Sequence, residues 1–181
     1  MRWCKILNLY KYSDKEKDEL VKSIGIWVDT REKINPHIID WFDKHKIEHK
    51  SKALTNGDYS FYVPPNSALN IDRCLDFSHE IMIERKANLD ELAGNFTTSR
   101  ARFQEEMATF EGKKYLLIEN SQFQDVVIHK YDSKFSPKAY LASLQSFNQR
   151  YNLQIMFMSN NTYSAVWIYS VFVYYLKNLM R

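Results

Sequence analysis

The chain has 181 residues, 45% hydrophobic and 26% charged, which suits one globular domain with a sizeable core. A net charge of +3 permits nucleic-acid binding without demanding it. The two cysteines, Cys4 and Cys74, are too few for a disulfide framework or a CxxC zinc site, and they fit a reducing, cytoplasmic setting. Aromatics at 15% suggest first a well-filled core, with base stacking as the alternative. The N-terminal segment MRWCKILNLYKYSDKEK has no apolar stretch of signal-peptide length. No membrane partner is expected.

In chain order, Ser13 and Glu16 form a capping-box pattern that predicts a helix over 14–22. IGIWVD (24–29) has the apolar run of a buried strand. Asn35-Pro36 starts a helix, with Ile38, Trp41, Phe42 and His45 at helical spacing. A strand is expected over 47–54, a turn at Asn56-Gly57 and a strand over 58–63. Residues 64–76 form a polar connection. A strand follows over 77–86, then a helix opened by the Asn88/Glu91 pair and another over 99–110. A buried strand over 115–119 precedes helices over 121–129 and 137–150. The last strand spans 153–158 and the last helix 161–180. Its apolar part, 165–176, is too short to cross a bilayer and is expected to be buried. Strands first cluster and then alternate with helices, the order of an α/β fold with a central mixed β-sheet flanked by helices.

The residue pattern richest in chemistry is GDY (57–59) followed by IERK (83–86). Side chains alternate faces along a strand, so Glu84 and Lys86 share one face and Arg85 takes the other. An acid and a lysine two apart, with a second acid on a neighbouring strand, can hold a hard cation through carboxylate oxygens. Such an ion polarises a phosphodiester and activates water, and the lysine stabilises the developing charge. This is the logic of PD-(D/E)XK nucleases. Taken alone, E-x-K is common on surfaces. VDTRE (28–32) adds Asp29 and Glu32 near the same edge, with Arg31 available to phosphate. SRARF (99–103) places Arg100 and Arg102 at a helix start. None of the five histidines has ligand spacing. Lys50 and Lys52 suit either a phosphate track or a solvated strand face.

VDTRE, GDY, ERKANLD (84–90), SRARFQEE and YLLIEN (115–120) occur in the order found in XPF-type (ERCC4-domain) structure-specific endonucleases. The segment 139–165 resembles the end of the same domain. The resemblance covers 25–181, after a helical leader over 1–24, and is closest to single-domain phage or prophage members of bacteria. It implies a restriction-endonuclease-like fold and Mg²⁺- or Mn²⁺-dependent cleavage of branched DNA, in recombination, repair or replication. Asp58, Glu84 and Asp29 would be metal ligands, Lys86 the catalytic lysine and Arg85 a catalytic-site arginine. Arg31, Arg100 and Arg102 would contact DNA, with Glu32 and Asp90 in support. The family also implies a homodimer through late helices, where Trp167, Val171, Tyr174 and Tyr175 could serve. Many cellular members carry a helix–hairpin–helix module, and none is recognisable here. Branch selectivity would then come from the domain itself, from dimer geometry or from a partner protein. The same chemistry on plain duplex DNA, and a non-catalytic DNA-binding subunit, are the alternatives. An inert copy should have lost acids from GD or ERK, and all are present.

Overall fold

The computed structural model describes Leu7 and residues 10–180. Helix α1 (Asp14–Lys22) starts as its sequence demands: the Ser13 hydroxyl accepts the Glu16 N–H, and the Glu16 carboxylate accepts the Ser13 N–H. Strand β1 (Gly25–Asp29), helix α2 (Pro36–Lys44), strand β2 (His49–Lys52) and strand β3 (Tyr59–Val63) follow. Next come β4 (Leu75–Asp76), β5 (Ile81–Lys86), α3 (Leu89–Phe96), α4 (Arg100–Thr109) and β6 (Lys113–Glu119). The chain continues through α5 (Phe123–Val127), α6 (Pro137–Tyr151), β7 (Leu153–Met158) and α7 (Ser164–Leu179). None of the described helices is long and apolar enough to cross a membrane.

The strands form one mixed sheet in the order β2-β1-β3-β5-β6-β7, with β4 added to β3. β3 runs antiparallel to both β1 and β5, while β5, β6 and β7 are mutually parallel. Alternation divides the side chains between two cores. Ile26, Val28, Tyr59, Phe61, Ile81, Ile83 and Leu117 face α1, α2 and α7, where Leu20, Ile38, Phe42, Ile168, Phe172 and Leu176 meet them. Phe61 lies between Phe77 and Phe172, with ring centroids 4.3 and 5.3 Å away. Met82, Leu116 and Ile118 face the opposite way, against Leu92, Phe96, Phe103, Tyr140 and Phe147 of α3, α4 and α6. Leu7 and Tyr12 join the α7-side core, so the segment before β1 packs with the sheet.

Three expectations shift in the structure. The connection 64–76 contains a 3₁₀ turn and the short strand β4. The strand expected over 77–86 begins only at Ile81. Residues 77–80 turn instead, with Glu80 and Ile81 N–H both donating to the Phe77 carbonyl and Ser78 N–H donating to Asp76 Oδ1. This places Phe77 in the core while β5 starts in register with β6. The helix expected over 121–129 shortens to five residues, because the chain takes a left-handed conformation at His129 (φ 56°). α7 is the buried helix foreseen: Ala165, Ile168, Phe172 and Leu176 are enclosed. Trp167, Val171 and Tyr175 also pack against this core, whereas Tyr174 is exposed.

Candidate active site

Asp58 sits where β3 begins, between β1 and β5. Its N–H donates to the Ile83 carbonyl at 2.9 Å, and its carbonyl accepts the Asp29 N–H at 2.8 Å. Gly57 makes this entry possible. Its φ of +72° is the left-handed region, and an added Cβ would stand 2.9 Å from Met82 Cβ and 3.2 Å from the Ile83 carbonyl. Asp58 Oδ2 accepts the backbone N–H of Arg85 at 2.7 Å. Glu84 and Lys86 project from β5 on the α3–α4 side, with Lys86 Nζ 2.7 Å from Glu84 Oε1. Glu91 Oε1 lies 3.5 Å from the same ammonium, and the Phe103 ring centroid 5.7 Å from it.

These groups line a cavity of about 220 Å³, fringed by Arg31, Asn95, Ser99, Arg102 and Glu106. Burial and the neighbouring charge of Glu84 push the Asp58 carboxyl well above the usual carboxylate range. Burial also raises Glu84, a push that outweighs the pull of Lys86 and that Glu106 reinforces. Burial works against the Lys86 charge, yet Glu84 and Asp58 hold its ammonium above the ordinary lysine range.

Arg85 points to the other face. Its Nη1 donates to Glu119 Oε2 and its Nη2 to Glu32 Oε1, each at 2.9 Å, and Nη2 also bonds the Ile34 carbonyl. His37 Nε2 lies 2.9 Å from the second Glu119 oxygen. Asp29 shares the sheet face of Asp58, but its carboxylate is occupied. Oδ1 accepts Arg31 N–H and Nε at 2.7 and 2.9 Å, and Oδ2 accepts Arg31 Nη2 and the Leu54 N–H at 2.9 and 3.0 Å. Burial works against that charge, but the Arg31 bonds prevail and lower the Asp29 pKa. Asp29 is absent from the cavity lining, which Arg31 reaches.

Arg100 turns inward, bonding the Phe96 carbonyl at 3.2 Å and Ser143 Oγ at 3.1 Å, so it braces α4 against α3 and α6. Arg102 is exposed at the cavity rim and has no hydrogen-bond or ion-pair partner among the described residues. Asp90 accepts the Ser133 N–H at 2.6 Å, and α3 is capped by Asn88. Two acids escaped the sequence reading: Glu119, which anchors Arg85, and Glu106, which lines the cavity. Both lie in quoted motifs, YLLIEN and SRARFQEE. Glu106 follows Arg102 by one helical turn, a spacing that puts both on one face.

Among the described residues, no group of three or more His, Cys, Asp and Glu side chains is arranged to hold a metal. The pair Asp58 and Glu84 nevertheless fits a hard divalent cation. Both donors are carboxylate oxygens, and both charges are disfavoured by burial, a cost that a dication offsets. Mg²⁺ is commonly held by one or two carboxylates, with water and phosphate oxygens completing its shell.

A mixed sheet flanked by helices, with two acids and a lysine gathered on adjacent strands, defines a restriction-endonuclease-like α/β fold. Two solved structures share it. XPF from Aeropyrum pernix matches with a TM-score of 0.57 and 18% identity, over 82% of this chain and 59% of its own. XPF from Aeropyrum pernix in complex with DNA matches with a TM-score of 0.62 and 18% identity, over 85% of this chain and 66% of its own. The present chain thus spans less than two thirds of either relative. No curated protein matches it. The ERCC4 domain model matches residues 28–171, and the chain belongs to that family.

Proposed function

We propose that the protein is a divalent-cation-dependent DNA endonuclease whose catalytic residues are Asp58, Glu84 and Lys86. The observation that carries this reading is Lys86 Nζ 2.7 Å from Glu84, beside Asp58, in a polar cavity open to solvent. Asp58 and Glu84 would hold Mg²⁺ or Mn²⁺. When bound, the ion polarises the phosphodiester and lowers the pKa of water. Held above its ordinary range, the Lys86 ammonium is a hydrogen-bond donor rather than a base at neutral pH. It stabilises the negative charge that develops on the phosphate, from a side chain that is itself largely shielded from water. Arg102, partnerless at the rim, grips the backbone of the substrate, and Arg31 stands beside it. Arg85, Glu32, Asp29 and Asp90 act as supports, holding the strands and helix ends that carry the reacting groups.

The substrate we assign is branched DNA (flaps, forks or junctions), met in recombination, repair or replication. Family membership and the DNA-bound XPF relative support DNA as the substrate, and the branched class rests on the resemblance of the GDY and ERKANLD motifs to structure-specific endonucleases. A second copy of the chain or a partner protein would contribute to the choice of branch.

The decisive assay offers labelled single strand, linear duplex, flap, three-way and four-way junction, with Mg²⁺ or Mn²⁺. We expect cutting of a branched substrate. Lys86→Met should lower the rate roughly 100- to 1,000-fold while the protein still binds DNA. Wild-type protein inert on every substrate with both ions would overturn the reading.

A further inference from the structure

Glu106 has no part in the chemistry above, yet it forms a wall of the cavity. Its Oε1 accepts the Gly57 N–H at 3.0 Å, and its own carbonyl accepts Asn56 Nδ2 at 3.1 Å. The same Asn56 amide reaches Thr109 Oγ1 at 3.3 Å. Helix α4 is therefore tied to both residues that precede Asp58. Gly57 is buried, and a buried backbone N–H needs a partner; here the partner is the Glu106 carboxylate. On the same helix, Phe103 stands over Lys86, and Arg102 lies four residues before Glu106. A groove of about 220 Å³ continues outward from the cavity between Arg102, Glu106 and Thr55.

We propose that Glu106 is a positioning residue. It fastens the 56–58 turn to α4, and so sets Asp58 at a fixed distance from the helix that presents Arg102 to substrate. The inference rests on the nuclease reading for its consequence, although the bond itself does not. A rival role, direct contact of the Glu106 charge with a cation, makes different demands on the side chain. An anchor needs an acceptor at the right reach; a charge needs only to be charged.

Three variants separate these. Glu106→Gln keeps the acceptor and loses the charge. Glu106→Asp keeps the charge and shortens the reach. Glu106→Ala loses both. We expect Ala and Asp to lower the cleavage rate at saturating DNA about 10- to 100-fold, with KM little changed, because a slight misplacement of a reacting group is enough for such a loss. Gln should recover most of that loss. In the metal-free protein, the Gly57 amide should exchange with solvent roughly tenfold faster in Ala and Asp than in wild type or Gln. Gln as slow as Ala, with Asp near wild type, would assign a charge role and overturn the proposal. So would unchanged Gly57 exchange in Ala. If wild-type protein cuts nothing, the nuclease reading fails by itself, and the exchange data still decide whether Glu106 is the anchor.

Discussion

Asp58→Asn should make the metal-free protein more stable while disabling it. Asp58, Glu84 and Lys86 lie together in a cavity whose rim carries the further charges of Arg31, Arg102 and Glu106. The ammonium is committed to Glu84 at 2.7 Å, so Asp58 keeps one backbone N–H as its direct partner. Asn has nearly the same shape and its amide oxygen can still accept from Arg85. The change therefore removes an unbalanced charge without leaving a hole. A carboxylate whose folded pKa lies above its unfolded value costs the native state about 1.4 kcal/mol for each unit between the two, and Asn removes that cost. Because the cavity is open on one side, the expected gain is about 1–2 kcal/mol. For a chain of this length that is a rise in Tm of roughly 2–8 °C. The pH dependence follows from the sign of the shift. The folded pKa of Asp58 lies above the unfolded value of about 3.9. Below the unfolded value both states are protonated and the acid costs nothing. As pH rises toward the folded value, the native state retains the proton that the unfolded chain releases, so stability falls across that window. Above the folded value the penalty is complete. The stability difference between variant and wild type should thus grow from pH 4 upward and then level off. Millimolar Mg²⁺ should raise the Tm of wild type and not that of the variant. Thermal unfolding followed by circular dichroism across pH 4–9 reads both effects. A variant no more stable than wild type at pH 7.5, or a difference that does not change with pH, would refute the reasoning.

Two further substitutions test the frame around the site. Gly57→Ala should cost about 2–4 kcal/mol in urea unfolding, combining left-handed backbone strain with contacts to Met82 and Ile83 at 2.9 and 3.2 Å; a loss under about 0.5 kcal/mol, the range of a neutral surface change, would mean that the turn relaxes freely. Arg102→Ala should weaken DNA binding and flatten the plot of log affinity against log salt by about 0.9, the slope of one phosphate contact. An unchanged slope in fluorescence anisotropy would remove Arg102 from the interface.

Local rules carried much of the fold into the sequence. Ser13 and Glu16 cap α1 as their spacing requires, and two-residue alternation assigns Glu84 and Lys86 to one face and Arg85 to the other. The turn at 77–80 was hidden because FSHE contains neither Gly nor Pro, and Phe77 and Ile81 extend the apolar letters across it. Its signal is the side chain of Asp76 accepting from Ser78, a local competition with strand pairing. Glu106 and Glu119 were hidden for a different reason. Each meets its partner across about 35 to 50 residues of chain, and no periodicity along one element reports such a contact. The motif letters were readable; which acid faces which donor required the packed structure.

That distinction matters most for Asp29 and Asp58. The two acids are joined through backbone, Asp29 N–H to Asp58 carbonyl, and lie on one sheet face. Their surroundings push them apart. Asp29 receives four hydrogen bonds, three of them from Arg31, and stays ionised with its oxygens used. Asp58 receives one backbone bond and faces Glu84, so its charge is poorly compensated and its carboxylate remains available. Environments that separate two like groups in this way also separate their tasks. Asp29 fixes the loop that carries Arg31, and Asp58 is the acid with coordination to offer. Arg85 connects the two faces, giving its backbone N–H to Asp58 and its guanidinium to Glu32 and Glu119. The peptide that supports Asp58 is thus held from behind by an ion pair on the opposite side of the sheet.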